Sequence, residues 1–253
     1  MLTDQWFRVV KQCPDRHIRL LCFPHAGGAA SFFRSWADLV PDGVELVTVR
    51  YPGREDRLLH PLAETMEQLV EPIARECSRF QDAPLAFFGH SMGASVAYEV
   101  ALRLEAIRHT TLTTLFVSGR AAPWQEKKTR GLSDASDHEL IQDLQTLGGT
   151  EAQALADPEL RDLYLPAIRA DYRLVEQYKA SVSPVPLSIP VVAYYGQEDS
   201  DLDWNCMAEW SGVTQSTFDL RSFDGGHFYL AENNNAKVLL EDLFNRLSLP
   251  TVN

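Results

Sequence analysis

The chain has 253 residues, of which 45% are hydrophobic, so it can build a sizeable core and is neither disordered nor collagen-like. Its 23 basic and 35 acidic residues give a net charge of −12, which argues against nucleic acid or an anionic membrane as the main partner. No apolar run approaches the roughly 18–20 residues needed to span a bilayer.

Apolar, β-rich runs alternate with helix-like segments along most of the chain. The pattern predicts strands at residues 18–23, 45–51, 84–88, 114–118, 189–195 and 216–223. It predicts helices at residues 31–40, 65–80, 92–105 and 234–247. Strands that alternate with helices indicate one layered α/β domain over residues 1–253, with a mostly parallel sheet and right-handed crossovers. The strand direction at the N-terminal edge stays open.

The alternation breaks at about residues 123–183, where the sequence indicates helices and no strand. Capping residues at 133–137 precede a helix that ends at Leu147. Asp157 begins a longer helical stretch, which Pro166 is expected to kink or restart. This segment is either a second packed helical layer or, as we favour, a lid inserted over the carboxyl edge of the sheet, where open α/β sheets bind ligands.

Residues 89–93 have the sequence Gly-His-Ser-Met-Gly, which fits the G-x-S-x-G pattern of a nucleophile elbow. They lie between a predicted buried strand and a predicted helix, which is the context that the motif requires. A sharp turn would hold Ser91 in a strained conformation with its hydroxyl clear of the sheet. Side chains at positions 89 and 93 would collide with the neighbouring strand and helix, so glycine is expected there. The alternative is a tight turn with an incidental serine.

A serine nucleophile needs a base, and the base needs a carboxylate to orient it. The expected chain order is serine, acid, histidine, and only His227 of the seven histidines lies late and directly after a predicted strand. The acid is expected in the loop 196–203, which carries four carboxylates. Asp199 is favoured because it lies nearest the strand end that still leaves room for a turn. The other carboxylates of this loop stay open as alternatives: Glu198, Asp201 and Asp203.

Acyl transfer also needs donors for the oxyanion. The backbone N–H of Met92, directly after the nucleophile, is one candidate, and that of Ala26, after the first predicted strand, is the other. His25 and His90 are expected to line the site without ligating a metal. The sequence contains no P-loop pattern, no HExxH and no CxxC, and the reaction is predicted to need neither a metal nor a cofactor.

Several segments form a distinctive set: Gly-His-Ser-Met-Gly at 89–93, Gly-Gly-His-Phe at 225–228, Phe-Pro-His-Ala-Gly-Gly at 23–28, Tyr-Pro-Gly-Arg-Glu at 51–55, and the stretches 147–150, 155–160 and 165–172 of the expected lid. Together they resemble the type II (external, editing) thioesterases that accompany polyketide synthases and nonribosomal peptide synthetases. The resemblance covers about residues 15–245. The two glycine motifs, 89–93 and 225–228, are shared across α/β-hydrolases, and the other segments narrow the family.

The resemblance implies an α/β-hydrolase fold with a flexible helical lid. It implies hydrolysis of acyl groups from the phosphopantetheine thiol of acyl or peptidyl carrier proteins, which bind transiently, with no cofactor beyond the one the substrate carries. It carries over Ser91 as nucleophile, His227 as base and Asp199 as the third triad member, with the Ala26 and Met92 amides as oxyanion hole. A cytoplasmic monomer is expected, because no secretory signal is evident and the cysteines are scattered.

Some assignments stay open at this stage. Leu144 and Tyr164 are suggested for an acyl channel, although simple packing of the lid is the default. Basic residues that could dock an acidic carrier are Lys127, Lys128 and Arg130 at the lid entry, and Arg161, Arg169 and Arg173 on the lid. The rival functions are a hydrolase of acyl-CoA or free esters, a chain-releasing cyclase, and a non-catalytic carrier-protein binder.

Overall fold

A seven-stranded sheet forms the centre of the computed structural model, which describes residues 5–107, 111–125, 131–148, 155–180 and 186–247. The strands are β1 (Phe7–Lys11), β2 (Ile18–Phe23), β3 (Val44–Val49), β4 (Leu85–His90), β5 (Leu112–Ser118), β6 (Val191–Gly196) and β7 (Phe218–Phe223). They lie in the order β1-β3-β2-β4-β5-β6-β7, and every neighbouring pair is parallel except β1 and β3. The carboxyl ends of six strands therefore meet at one edge of the sheet.

Helices cover both faces of this sheet. The α-helices are α1 (Met66–Cys77), α2 (Met92–Ala106), α3 (Asp137–Leu147), α4 (Pro158–Gln177), α5 (Trp204–Ala208) and α6 (Asn233–Arg246). Short 3₁₀ helices occupy Ala30–Asp38, Glu55–Arg57, Glu209–Val213 and Tyr229–Ala231. No helix within the described residues is long and apolar enough to cross a membrane.

The sheet is buried on both sides because successive strand residues point to opposite faces. In β2, Leu21 and Phe23 pack in one core with α1 and α2, whereas Leu20 and Cys22 pack in a second core with Ala30–Asp38 and α6. All six residues of β4, in the middle of the sheet, are buried. This layered α/β arrangement with a mostly parallel sheet confirms the predicted fold class.

The predicted strands and helices are present, with boundaries that differ by a few residues. The segment predicted as a helix at 31–40 is a 3₁₀ helix, and an additional strand, β1, was not predicted. Of the five residues of β1 only Phe7 is buried, because this strand lies at the sheet edge. Its sequence Phe-Arg-Val-Val-Lys therefore lacks the continuous apolar pattern that identifies the central strands.

Between β5 and β6 the described residues contain the two predicted helices and no named strand. A capping box of Ser136 and Glu139 begins α3, and Gly148, in a left-handed conformation with φ of 84°, ends it. Asp157 caps α4, which runs without interruption through Pro166, so the predicted restart does not occur. The two helices share a small apolar cluster.

A buried ion pair joins β2 and β3 at the end of the sheet opposite their carboxyl ends. Arg19 and Glu45 are register partners, both 5% exposed, and Arg19 Nε donates to Glu45 Oε2 at 2.6 Å. Arg19 also donates to the more exposed Asp82, and its guanidinium lies 4.2 Å from the centre of the Phe80 ring. The arginine therefore keeps partners if Glu45 loses its charge.

We expect Glu45→Gln to lower the free energy of unfolding by about 1–3 kcal/mol, because it leaves a buried guanidinium with one weaker acceptor while Asp82 still compensates part of the charge. The measurement is urea unfolding monitored by circular dichroism. An unchanged unfolding midpoint would contradict a stabilising role for this pair.

Candidate active site

Ser91 occupies a strained turn between β4 and α2. Its φ of 53° and ψ of −119° are sparsely populated for a residue with a side chain and cost on the order of 1–3 kcal/mol. A Cβ at Gly89 would collide with the Gly93 carbonyl oxygen, and a Cβ at Gly93 would collide with the carbonyl oxygen of Phe23. The predicted reason for glycine at both positions, crowding by the helix and the neighbouring strand, is therefore confirmed.

His227 and Asp199 are hydrogen-bonded side by side on neighbouring loops. His227 Nδ1 donates to Asp199 Oδ2 at 2.7 Å, although 28 residues separate them in sequence. Asp199 follows β6 and has a side chain only 1% exposed, while that of His227, after β7, is 12% exposed. The second oxygen of Asp199 accepts the backbone N–H of Asp201 at 3.1 Å. The carboxylate is thus held on both sides.

The other carboxylates of the same loop have different surroundings. Asp203 accepts from the backbone N–H of Cys206 at 2.8 Å and caps α5. Glu198 and Asp201 are exposed. Of the four carboxylates, Asp199 is therefore the one that the fold places against the imidazole of His227.

A cavity of about 410 Å³ lies at the carboxyl edge of the sheet. Ser91, His227 and Ala26 line it from the sheet side, and Leu144 and Val175 line it from α3 and α4. His25 and Phe228 line the part of the wall that lies beside His227. The structure thus brings the serine, the histidine and one of the two predicted oxyanion residues into one wall.

Two of the four residues suggested for substrate binding lie away from this wall. His25 and Leu144 line the cavity, but His90 is fully buried behind it and Tyr164 packs in the apolar cluster of α3 and α4. His90 is the last residue of β4, and its Nδ1 lies 3.0 Å from Ser118 Oγ, so its ring is engaged in the interior.

The charged residues of the cavity wall largely hold the wall together. Glu176 accepts from the backbone N–H of Leu132 at 2.7 Å and from Ser133 Oγ at 2.6 Å. Asp143 accepts from the Tyr172 hydroxyl at 3.0 Å, which links α3 to α4. Arg120 Nε donates to Ser95 Oγ at 3.1 Å, and burial lowers the pKa of this arginine to about 10.

A chain of polar groups runs behind His227. The Tyr229 hydroxyl lies 2.7 Å from Ser118 Oγ, which lies 3.0 Å from His90 Nδ1, and the His90 ring is centred 5.0 Å from the His227 ring. Burial, followed by the nearby His227 and His25 rings, lowers the pKa of His90 well below its usual value. His90 is therefore neutral in the folded protein near pH 7.

The chain is similar to known proteins over most of its length. Residues 18–247 match the family model described as "Thioesterase domain". The chain belongs to the thioesterase family. Thioesterase PikA5 of Streptomyces venezuelae is 40% identical over 226 residues, which cover 89% of this chain and 80% of that protein. The gramicidin S biosynthesis protein GrsT of Aneurinibacillus migulanus is 32% identical over 231 residues, covering 91% and 90%.

Solved structures give the same result. The type II thioesterase BorB from the borrelidin biosynthetic cluster superposes with a TM-score of 0.88 and 35% identity, covering 98% of this chain and 99% of that one. The resemblance to type II thioesterases predicted from the motifs is confirmed, and the chain is an enzyme of this kind.

Two of the basic residues suggested for carrier docking, Arg161 and Arg169, are hydrogen-bonded to backbone carbonyl groups of this thioesterase. Arg169 Nη1 donates to the carbonyl oxygens of Ser133 at 2.8 Å and Ala135 at 2.7 Å, so it secures the loop before α3. Arg161 Nε donates to the Leu155 carbonyl at 3.1 Å. Lys127, Lys128 and Arg130 lie outside the described residues. The described part of the chain contains no group of three or more His, Cys, Asp and Glu side chains arranged to hold a metal.

The sequence motifs predict no role for Arg54 and Asp171. In the structure these two residues form a buried ion pair beside Ala26. Arg54 Nη2 donates to Asp171 Oδ1 at 2.9 Å across 117 residues of sequence. One local signal was available: Asp171 falls on the apolar stripe of the predicted helix, three residues after Ile168 and four before Val175. A charged residue on such a stripe needs a buried partner.

His90 should make the stability of this thioesterase depend on pH. Below about pH 6.5 the unfolded chain protonates His90 while the folded chain does not, so stability falls as the pH drops, by at most about 1.4 kcal/mol per pH unit. We expect His90→Gln to reduce this slope between pH 6.5 and 5, measured by urea unfolding at a series of pH values. His138→Gln, at an exposed histidine of α3, is the matched control and should leave the slope unchanged. Equal slopes for wild type and His90→Gln would refute the assignment.

Proposed function

We propose that this thioesterase removes acyl groups from the phosphopantetheine thiol of carrier proteins and so unblocks a polyketide or nonribosomal peptide assembly line. The observation that carries the chemistry is Ser91 on its strained turn, in the same cavity wall as His227, whose Nδ1 is paired with Asp199. The names of the relatives support the pathway, since they include a gramicidin S biosynthesis protein and a thioesterase from the borrelidin cluster.

In the proposed mechanism the nucleophile is Ser91 Oγ and the base is His227. Because Nδ1 of His227 donates to Asp199, the lone pair of Nε2 is available for the serine proton. Ser91 attacks the thioester carbonyl, and the resulting tetrahedral intermediate collapses to an acyl-enzyme while the protonated His227 returns its proton to the leaving thiol. Water activated by His227 then attacks the acyl-enzyme and releases the carboxylic acid and Ser91.

The oxyanion of both tetrahedral intermediates is assigned to two backbone N–H groups. Met92 is the first residue of α2, where helix amides have no intrahelical acceptor. Ala26 belongs to the loop after β2 and lines the cavity with Ser91. Each proposed step uses only groups of this chain, the substrate and water, so we propose that the enzyme works without a metal or a cofactor of its own.

We propose that the segment at residues 123–183 is a lid. Its helices α3 and α4 contribute Leu144, Leu147, Tyr172 and Val175 to the cavity wall across from Ser91. An acyl chain attached to a bulky carrier must enter between these helices and the sheet edge, whereas the carrier itself stays outside. The carrier is accordingly proposed as a transient partner of a monomeric enzyme.

We expect Ser91→Ala to reduce turnover by about 10⁴–10⁶-fold and Asp199→Asn by about 10⁴-fold, by analogy with other triads. The assay is release of an acetyl or propionyl group from a phosphopantetheinyl carrier protein, monitored by intact mass. Ser216→Ala, at an exposed serine before β7, is the control and should retain wild-type turnover. Activity that persists in Ser91→Ala would eliminate the proposed nucleophile.

Comparison of acyl donors separates the proposed function from hydrolysis of acyl-CoA or free esters. The same acyl group is offered on the carrier, on coenzyme A and as a simple ester, and kcat/KM is measured for each. We expect the carrier to give the highest kcat/KM, because a carrier protein can contact the enzyme surface outside the cavity, whereas coenzyme A and a simple ester offer no protein surface. Equal or higher kcat/KM with acyl-CoA or the ester would discard the carrier partnership and leave a hydrolase of free substrates. Covalent labelling of Ser91 by a fluorophosphonate separates both from a non-catalytic binder.

A further inference from the structure

A buried ion pair connects α4 to the loop that carries Ala26. Arg54 and Asp171 are 5% and 4% exposed, and the guanidinium meets the carboxylate through two hydrogen bonds, of 2.7 and 2.9 Å. Arg54 Nη1 also donates to the Gly28 carbonyl at 2.9 Å, and Asp171 Oδ2 accepts the Gly27 backbone N–H at 2.8 Å. We name these four residues the clasp.

The same face of α4 packs against the backbone around the clasp. A Cβ at Gly27 would lie 3.0 Å from Ile168 Cγ1, and a Cβ at Gly53 would lie 2.2 Å from Leu62 Cδ2 and 3.1 Å from Ala167 Cβ. Both glycines have positive φ, of 79° and 81°. The helix thus packs closely against two loops, and a side chain at position 27 or 53 would be strained by the positive φ and crowded by these neighbours.

The N–H of Ala26 belongs to the His25–Ala26 peptide, and the backbone groups around that peptide are hydrogen-bonded, in part by the clasp. The Gly27 N–H is bonded to Asp171, the Gly28 carbonyl to Arg54, and the Gly28 N–H to the His25 carbonyl at 3.0 Å. On the preceding side, the Tyr51 hydroxyl donates to the Pro24 carbonyl at 3.2 Å. With its neighbours held, the orientation of the Ala26 amide in the cavity wall is set by these bonds.

We propose that Arg54 and Asp171 are positioning residues for the oxyanion hole: they hold the Ala26 amide at the reacting carbonyl and tie its geometry to the seat of α4. Neither side chain is among those that line the cavity. The inference depends on the proposed acyl-enzyme mechanism but not on the preference for a carrier. It gives the Pro-Gly-Arg segment at 52–54 a function that the triad does not supply.

The test measures hydrolysis of a small acyl thioester, acyl-N-acetylcysteamine, which needs no carrier docking. The variants are Asp171→Asn, in which one carboxylate oxygen becomes an NH₂ facing donors, and Arg54→Lys, which keeps the charge but cannot reach Asp171 and Gly28 in the same fork geometry. The matched control is Glu45→Gln, which weakens a comparably buried arginine–carboxylate pair at the opposite end of the sheet. Circular dichroism and urea unfolding establish that each variant is folded.

We expect both clasp variants to lower kcat by about 10–100-fold with KM within about threefold of wild type, because complete loss of one oxyanion donor costs about 10²–10³-fold and a misaligned donor costs less. The inhibition constant of a trifluoromethyl ketone analogue, which forms a tetrahedral adduct with Ser91, should rise by the same factor. The affinity for a thioether that lacks the carbonyl should not change, since it has no oxyanion. Glu45→Gln should match wild type in all three measurements.

Values of kcat within threefold of wild type in the folded clasp variants would overturn the inference, and so would an equal loss of affinity for the ketone and the thioether, which indicates a merely structural role. The proposed function fails separately: it is refuted if Ser91→Ala still hydrolyses the same thioester, whatever the clasp variants do.

Discussion

The close approach of three backbones around Ser91 is the constraint on which the site depends. The turn can place the serine in a strained conformation only because β4, β2 and α2 come together with no side chain between them, at Gly89 and Gly93. Such strain persists when the surrounding structure over-determines it. Here the surroundings are β4, buried along its whole length at the centre of the sheet, and α2, of which ten residues are buried. The strained conformation of Ser91 therefore depends on the packing of the core around it.

Parallel strand pairing then delivers the remaining groups to the same place. Loops that follow parallel strands meet at one edge of a sheet, so residues far apart in sequence become neighbours without a long connection. Ser91 follows β4, Asp199 follows β6, and His227 follows β7. The loop after β2 adds Ala26, because β2 is paired directly with β4. The sheet order accounts for a constellation that no single segment encodes.

The sequence predicts features that depend on a local pattern. It does not predict features that depend on contacts between residues far apart in the chain. Central strands, the turn at Ser91 and the caps of α3 and α4 each carry their signal within a few residues. The choice of Asp199 among four carboxylates depends on the turn closed by its backbone N–H to the Gly196 carbonyl at 3.1 Å, which pattern alone leaves open. The edge strand β1 has too little buried surface to show a pattern, and the Arg54–Asp171 pair spans 117 residues.

The proposed mechanism places a positive charge on His227, close to the buried ring of His90, and the burial of His90 limits the resulting repulsion. During each proposed step His227 becomes an imidazolium, and a second positive charge on His90, with ring centres 5.0 Å apart, would oppose this by about 3 kcal/mol at an effective dielectric constant of about 20. His90 is fully buried, which keeps it neutral, and its Nδ1 is paired with Ser118 rather than with a carboxylate. The buried carboxylate of Asp199 is instead paired with His227. The fold thus places the Asp199 carboxylate beside the ring that is proposed to accept a proton, and it keeps the ring behind it uncharged.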